Sequence, residues 1–174
     1  MKTVLVTGGS RGIGKCIVEN LATEGYDVVL NYNKSEKQAK EIQKKLKEKN
    51  INIEIYKADV SKREEVKKLI NFAIKKYGNI EVLINNAGIA RLQMFNDITD
   101  EDWNEMISTN LNSAFYCIQE ALPNMIYNKN GCVINISSIW GIVGASCEVA
   151  YSVSKAGVIG LTKSLAKELR SIKY

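Results

Sequence analysis

The chain has 174 residues, of which 45% are hydrophobic, and its formal net charge is +5. This length and composition predict one globular domain, residues 1–174, with enough apolar side chains for a core. Residues 34–50 hold seven lysines and three glutamates, so the excess charge indicates a solvated helix face rather than a nucleic-acid surface. Histidine is absent and the cysteines (Cys16, Cys117, Cys132 and Cys147) lack metal-ligand spacing, which argues against a metal site or a disulfide framework.

The amino-terminal residues favour an intracellular location. Met1 and Lys2 run directly into an apolar strand pattern, which leaves no room for a signal peptide. No run in the sequence approaches the roughly 20 apolar residues of a membrane-spanning helix. We therefore expect a cytoplasmic protein with no membrane partner.

The first predicted elements are a strand at residues 3–6, a glycine-rich turn and a helix. Gly8, Gly12 and Gly14 allow the backbone to approach a pyrophosphate, and the helix start points free N–H groups at negative charge. Their spacing, T-G-x-x-x-G-x-G, differs from the commoner G-x-G-x-x-G pattern. A purely structural turn remains an alternative, but its place at the first strand-to-helix turn favours nucleotide binding.

The second predicted strand, residues 27–31, bears on the choice of cofactor. In dinucleotide-binding folds an acidic residue at this strand end accepts a hydrogen bond from the ribose 2′-OH, whereas basic groups accommodate a 2′-phosphate. Here the strand ends at Asn31, and Arg11 and Lys34 are the available cations. The sequence therefore favours NADP(H) over NAD(H), although Lys34 is equally placed to begin the solvated helix face.

The rest of the chain alternates between helix and strand patterns. The predicted elements are a helix at 35–50, a strand at 51–56, a helix opened by a capping box at Ser61 and Glu64 and ending at Gly78, a strand at 80–84, a helix from 99 to about 127, a strand at 131–136 and a helix at 150–169. This alternation predicts an α/β fold: a Rossmann-like, doubly wound parallel sheet in three layers with strand order 3-2-1-4-5.

Polar residues follow the predicted fourth and fifth strands. Residues 85–88 read Asn-Asn-Ala-Gly, which serves either as turn chemistry or as ligand contacts. Ser137 and Ser138 end the fifth strand, at the sheet edge where ligands bind in such folds. Asn110 lies inside a predicted helix, a position that asparagine does not favour.

Tyr151 and Lys155 stand four residues apart at the start of the last predicted helix, so both side chains share one face. A lysine charge about 4 Å from a phenol, at an effective dielectric of about 20, favours the phenolate by roughly 4 kcal/mol. Such a tyrosine exchanges a proton near neutral pH. Ser138 would hold a substrate carbonyl beside the pair. An amphipathic tyrosine and a solvated lysine are the alternative for an isolated pair, and the other motifs argue against it.

Together these motifs resemble the short-chain dehydrogenase/reductase family along the whole chain. The matching positions are Thr7, Gly8, Gly12, Gly14, Asp59, Asn85, Asn86, Ala87, Gly88, Asn110, Ser138, Tyr151 and Lys155. The resemblance implies hydride transfer from a nicotinamide cofactor to a ketone, with the protein supplying position and a proton.

The resemblance also implies a role for each site residue. Tyr151 would be the general acid/base, and Lys155 would bind the nicotinamide ribose. Ser138 would orient the substrate carbonyl, and Asn110 would hold a proton-relay water with the lysine. The residues expected to contact NADP(H) are Gly8, Ser10, Arg11, Gly12, Ile13, Gly14, Asn31, Lys34, Asp59, Val60, Asn86, Ala87, Gly88, Tyr151 and Lys155.

Within the family, two subgroups compete. The chain most resembles 3-oxoacyl-(acyl-carrier-protein) reductases of fatty acid synthesis. The likeness lies in the amino-terminal residues, residues 31–32, residues 85–88 and residues 155–166. This implies NADPH-dependent reduction of a ketone, either a small molecule or a carrier-bound acyl thioester, to a secondary alcohol. Residues 138–149 are instead similar to elongation factor P 5-aminopentanone reductases, which reduce a ketone on a modified protein lysine. Trp140, Cys147 and Glu148 would then shape a different pocket, or simply fill a loop.

One departure from the family concerns the end of the chain. Family members usually continue past the final helix into further strands and a helix pair over the substrate, whereas this chain stops at Lys173 and Tyr174. We therefore expect a truncated product with strand five as an open edge, and a catalytically inactive fragment is a further alternative. By resemblance, we also expect a homo-oligomer, dimer or tetramer, through helices 100–127 and 150–169.

Overall fold

A computed structural model describes residues 2–170 of the chain. Five parallel strands form one sheet in the order β3-β2-β1-β4-β5. They are β1 Thr3–Val6, β2 Asp27–Tyr32, β3 Glu54–Lys57, β4 Val82–Asn85 and β5 Cys132–Asn135. The predicted fold class and strand order are confirmed.

Helices cover both faces of the sheet. They are α1 Gly12–Thr23, α2 Glu36–Lys47, α3 Arg63–Tyr77, α4 Asp100–Ile107, α5 Ser113–Tyr127, α6 Trp140–Val143 and α7 Val149–Arg170. On one face, Val18 of α1 packs against Val4 and Val28 of the sheet, together with Ala39, Ile42 and Leu46 of α2. On the other face, Leu69 of α3 and α5 pack against Leu5. The alternation of strand side chains thus builds two apolar layers, and these hold the carboxyl ends of the strands in one row.

The helix predicted from residue 99 to about 127 is present from residue 100 and contains a π-helical turn. Thr99 caps α4, because its side chain accepts a hydrogen bond from the Asp102 N–H at 3.1 Å. A π-helical segment, Ser108–Asn112, then separates α4 from α5. Asn110 lies in this segment, so the asparagine that is unfavourable in a regular helix marks the place where the helix is interrupted.

The predicted capping box before α3 is wrong. The Ser61 hydroxyl donates to Asp59 Oδ1 at 2.7 Å, and Glu64 pairs with Lys67 at 3.0 Å. The helix begins at Arg63 without a side-chain cap. The Ser61 N–H also donates to Asp59 Oδ1, at 3.1 Å, so both polar groups of the serine bond to the Asp59 carboxylate, to which hydrogen bonds are strong.

Strand β5 lies at the edge of the sheet, as expected, and Ile134 is 43% exposed there. Helix α7 is described as far as Arg170, and the chain end at Lys173 and Tyr174 lies outside the described residues. Within residues 2–170, every helix is too short or too polar to cross a membrane.

Candidate active site

The glycine-rich turn after β1 lies directly against the segment that follows β4. Gly8 has a φ of +62°, and a Cβ there would come 2.9 Å from the Ala87 Cα. A Cβ on Gly14 would overlap both the Asn86 side-chain nitrogen and the Gly8 carbonyl oxygen. These two glycines are therefore required by close packing of backbone on backbone, in addition to any ligand.

Thr7 and Asn86 hold this turn in place. The Thr7 hydroxyl oxygen accepts hydrogen bonds from the N–H groups of Asn86 at 3.0 Å and Ala87 at 3.1 Å. In return, the Asn86 side-chain amide donates to the carbonyls of Thr7 and Gly8, both at 3.0 Å. The amide of Asn86 thus shapes the turn. Thr7 is part of the T-G-x-x-x-G-x-G pattern, but the sequence does not show that its hydroxyl bonds to the segment after β4.

Asn31 supports the same turn from the other side. Its side chain is 1% exposed, and its amide nitrogen donates to the Ala58 carbonyl at 3.0 Å. Its Oδ1 accepts a hydrogen bond from the Gly8 N–H at 3.3 Å. The Asn31 amide therefore joins the ends of β2 and β3 to the glycine turn.

A cleft of about 730 Å³ runs along the carboxyl ends of β1 to β4. It is lined by Gly8, Ser10, Arg11, Gly12, Ile13, Asn31, Tyr32, Asn33, Lys34, Ser35, Ala58, Asp59, Val60, Ser61, Asn86, Ala87, Gly88, Ile89, Glu105 and Thr109. The cofactor residues predicted from the sequence are all here except Gly14, Tyr151 and Lys155. Most of the residues that the sequence reasoning missed are neighbours of predicted ones. Glu105 and Thr109 come from α4 and the π segment, and no motif marks them.

The cleft fits a dinucleotide phosphate. Helix α1 points its N-terminus into the cleft, has no side-chain cap and carries no acid in its first turn, so its N–H groups are available to an anion. Arg11 and Lys34 are exposed at the cleft, and neither makes an ion pair with another residue in the described part of the chain. The Asp59 carboxylate also lines the cleft, where it accepts a hydrogen bond from the Ser61 hydroxyl at 2.7 Å.

Lys155 is buried beside the other end of the cleft. Its side chain is 5% exposed, and Nζ donates a hydrogen bond to the Ile136 carbonyl at 2.8 Å. Burial lowers the pKa of the Lys155 ammonium from its ordinary value. Nζ lies 5.7 Å from the centroid of the Tyr151 ring, and 3.5 Å from the point where a Cβ on Gly88 would be. Lys155 therefore reaches the cleft at Gly88, and the Tyr151 ring lies next to its ammonium.

Asn110 also reaches this end of the cleft. Its Oδ1 accepts a hydrogen bond from the Ile89 N–H at 2.8 Å, and its amide nitrogen donates to the Ile89 carbonyl at 2.9 Å. The π segment turns the asparagine away from helix packing and towards the loop after β4. These two hydrogen bonds to Ile89 fix the backbone that follows Gly88.

Ser138 follows β5, in a segment that packs on α7. Its hydroxyl oxygen accepts a hydrogen bond from the Trp140 N–H at 3.2 Å. Next to it, the Ser137 hydroxyl donates to the Lys155 carbonyl at 2.9 Å. A Cβ on Gly141 would come 2.7 Å from the carbonyl carbon of Lys155, so α6 contacts the α7 backbone directly. The segment that carries Ser138 therefore also fixes the position of Lys155.

A parallel sheet with a glycine turn after its first strand and a cleft along its carboxyl ends defines a Rossmann-like nucleotide-binding protein. Residues 2–173 match the family model described as short chain dehydrogenase, and the chain belongs to that family. By class it is thus an oxidoreductase that uses a nicotinamide cofactor.

Curated relatives cover nearly the whole chain. A Staphylococcus aureus (strain Mu50) protein is 43% identical over 170 residues, which are 98% of this chain and 69% of the relative. A Staphylococcus epidermidis (strain ATCC 12228) protein is 41% identical, with 98% and 70% covered. A Buchnera aphidicola protein is 39% identical over 168 residues, with 97% and 67% covered. All three are named 3-oxoacyl-(acyl-carrier-protein) reductase FabG.

Proposed function

We propose that the chain carries the active site of an NADPH-dependent reductase that converts the ketone of a 3-oxoacyl thioester, held on acyl carrier protein, to a secondary alcohol. One observation carries the reaction type: the buried Lys155 ammonium lies beside the Tyr151 ring, at the Gly88 end of the cleft. The names of relatives at 39–43% identity support the substrate class. These names favour it over a modified lysine of elongation factor P, the alternative subgroup.

Each side chain has a part in the proposed reaction. A bound nicotinamide supplies the hydride. Tyr151 gives its phenolic proton to the carbonyl oxygen of the substrate as negative charge develops there. Lys155 favours loss of that proton through its positive charge, which acts strongly because the ammonium is shielded from water. Ser138 donates a hydrogen bond to the same carbonyl and keeps it next to the tyrosine. Asn110 holds the Ile89 backbone after Gly88 in place, at the end of the cleft where a nicotinamide would be held.

We propose NADPH as the preferred cofactor because Arg11 and Lys34 lie exposed at the cleft and no acid follows β2 before Glu36. Both cations are without an ion-pair partner among residues 2–170, so a 2′-phosphate would meet free positive charge.

Replacing Lys34 by Glu tests this preference. We expect NADPH affinity to fall on the order of tenfold, about 1.4 kcal/mol, while NADH affinity changes little, since only NADPH carries the 2′-phosphate. Lys37→Glu is the matched control: it makes the same charge change one turn along α2 at a residue that does not line the cleft. Fluorescence titration with both cofactors measures the effect. Equal losses in the two variants would mean that general charge, rather than contact, sets the preference.

The reaction itself is tested with the purified chain, NADPH and acetoacetyl-acyl carrier protein, following the loss of NADPH absorbance. We expect oxidation of NADPH only when the thioester is present. Oxidation with aminopentanone-modified elongation factor P, and none with the thioester, would favour the alternative subgroup. Saturable NADPH binding without turnover of either substrate would indicate an inactive fragment.

We also propose that the protein assembles with copies of itself through α4, α5 and α7, as its resemblance to the family implies. On α5, Phe115 is 40% exposed, so this helix offers apolar surface to a second copy. The cytoplasmic location remains a prediction from the sequence.

A further inference from the structure

Ser154 is a polar residue between Tyr151 and Lys155 that belongs to none of the predicted motifs. Its side chain is fully buried, with 0% exposed. Its hydroxyl donates to the Tyr151 carbonyl at 2.7 Å and accepts a hydrogen bond from the Asn110 side-chain amide at 3.0 Å. One hydroxyl therefore joins the first turn of α7 to the π segment.

The orientation of the Asn110 amide is fixed by its other partners. Its Oδ1 faces the Ile89 N–H and its nitrogen faces the Ile89 carbonyl, so a flipped amide would put donor against donor and acceptor against acceptor. The nitrogen is thus a donor towards Ser154, and the Ser154 hydrogen is directed to the Tyr151 carbonyl. The Met106 Sδ also lies 3.2 Å from this nitrogen, but a thioether sulfur is a weaker acceptor than either oxygen, so the two amide hydrogens go to Ile89 and Ser154.

A serine in a helix often bonds to a carbonyl three or four residues back without any functional effect. Two observations distinguish Ser154 from that ordinary case. Its second bond leaves the helix and reaches Asn110, 44 residues away in sequence. The carbonyl that Ser154 contacts belongs to Tyr151, and Ser154 itself directly precedes Lys155 in the chain.

We propose that Ser154 is a positioning residue. It holds the first turn of α7 against Asn110, so that Tyr151 stays in place relative to the Ile89 backbone that follows Gly88 in the cleft. The connection runs from Ile89 through the Asn110 amide and the Ser154 hydroxyl to the Tyr151 backbone. This inference rests on the proposed function, in which Tyr151 supplies the proton. It adds a residue outside the predicted catalytic set.

Ser154→Ala tests the proposal, with Ser152→Ala as the matched control. Ser152 is also buried, at 8% exposed, two residues away on the same helix, and its hydroxyl has no partner among the described residues. We expect Ser154→Ala to lower kcat by a factor on the order of 10 to 100 and to leave the Kd for NADPH within about twofold. Ser152→Ala should retain the kcat of the original chain. Equal kcat values for the two variants, or a matching loss of cofactor binding, would overturn the proposal.

A second measurement does not depend on turnover. In the unsubstituted protein the side-chain amide protons of Asn110 should exchange slowly with solvent by NMR, and Ser154→Ala, but not Ser152→Ala, should speed that exchange. Fast exchange in the unsubstituted protein would overturn the link even if Ser154→Ala fails to fold. If the chain shows no turnover of any ketone but slow Asn110 exchange, the proposed function fails while the Ser154 connection stands.

Discussion

Replacing Tyr151 by Phe is expected to lower turnover by about a hundredfold to ten-thousandfold, the range that one general acid contributes. The variant keeps the ring beside the Lys155 ammonium and removes only the hydroxyl, so the fold around α7 should be unchanged. The Kd for NADPH should stay within about twofold, because the cleft at Gly8, Arg11 and Lys34 is untouched. Steady-state rates with a 3-oxoacyl thioester and a separate NADPH titration measure the two quantities.

Tyr127→Phe is the control for this substitution. Tyr127 is 85% exposed at the end of α5, so loss of its hydroxyl should leave the turnover rate and the Kd for NADPH unchanged. Turnover retained by Tyr151→Phe would show that another group donates the proton. A parallel loss of NADPH binding would instead show that the tyrosine mainly supports the cofactor site.

Replacing Gly14 by Ala is expected to disrupt both folding and cofactor binding. The added Cβ would overlap the Asn86 side-chain nitrogen and the Gly8 carbonyl, which are bonded to each other at 3.0 Å. Neither group is the free end of a flexible side chain, so the β1 turn must separate from the segment after β4. Overpacking of this kind costs about 1–3 kcal/mol or more of the free energy of unfolding. Urea unfolding and NADPH titration of the same variant measure the loss.

Gly160→Ala makes the same chemical change in α7, where nothing lies within 4 Å of the added Cβ. It should raise the free energy of unfolding by up to about 1 kcal/mol, because alanine favours helix more than glycine does. The contrary result is a Gly14→Ala variant that is as stable as the original chain and binds NADPH equally well. That result would show that close packing between the glycine turn and the segment after β4 contributes nothing to the free energy of unfolding.

Much of the fold was predictable because strand and helix patterns alternate regularly along the chain. Buried apolar runs such as Val28–Leu30 and the period of Ala39, Ile42 and Leu46 identify their elements without any tertiary information. The rules for parallel α/β sheets then give the strand order. The Tyr151 and Lys155 pair was predictable for a similar reason, since helical spacing alone brings the two residues to one face.

Side-chain partners were less predictable, because they depend on which groups compete at short distance. The spacing of Ser61 and Glu64 predicts a capping box, and only the structure shows that the Ser61 hydroxyl bonds to the Asp59 carboxylate instead. Residue types likewise identify Asn31 and Asn86 as polar residues at strand ends. They do not show that both amides bond to the backbone of the glycine turn. The π segment at Asn110 appears in the sequence only as an unfavourable helix residue.

The bonds between Thr7 and Asn86 join residues 79 positions apart. The cofactor pocket therefore cannot exist in any partly folded state in which β4 has not yet paired with β1. Such distant contacts close a long stretch of chain and are formed late and slowly during folding. A dinucleotide will accordingly find no partial site on the unfolded ensemble, and its full binding energy will favour the native state. Cofactor concentration in the cell then becomes a control on how much of this protein stays folded.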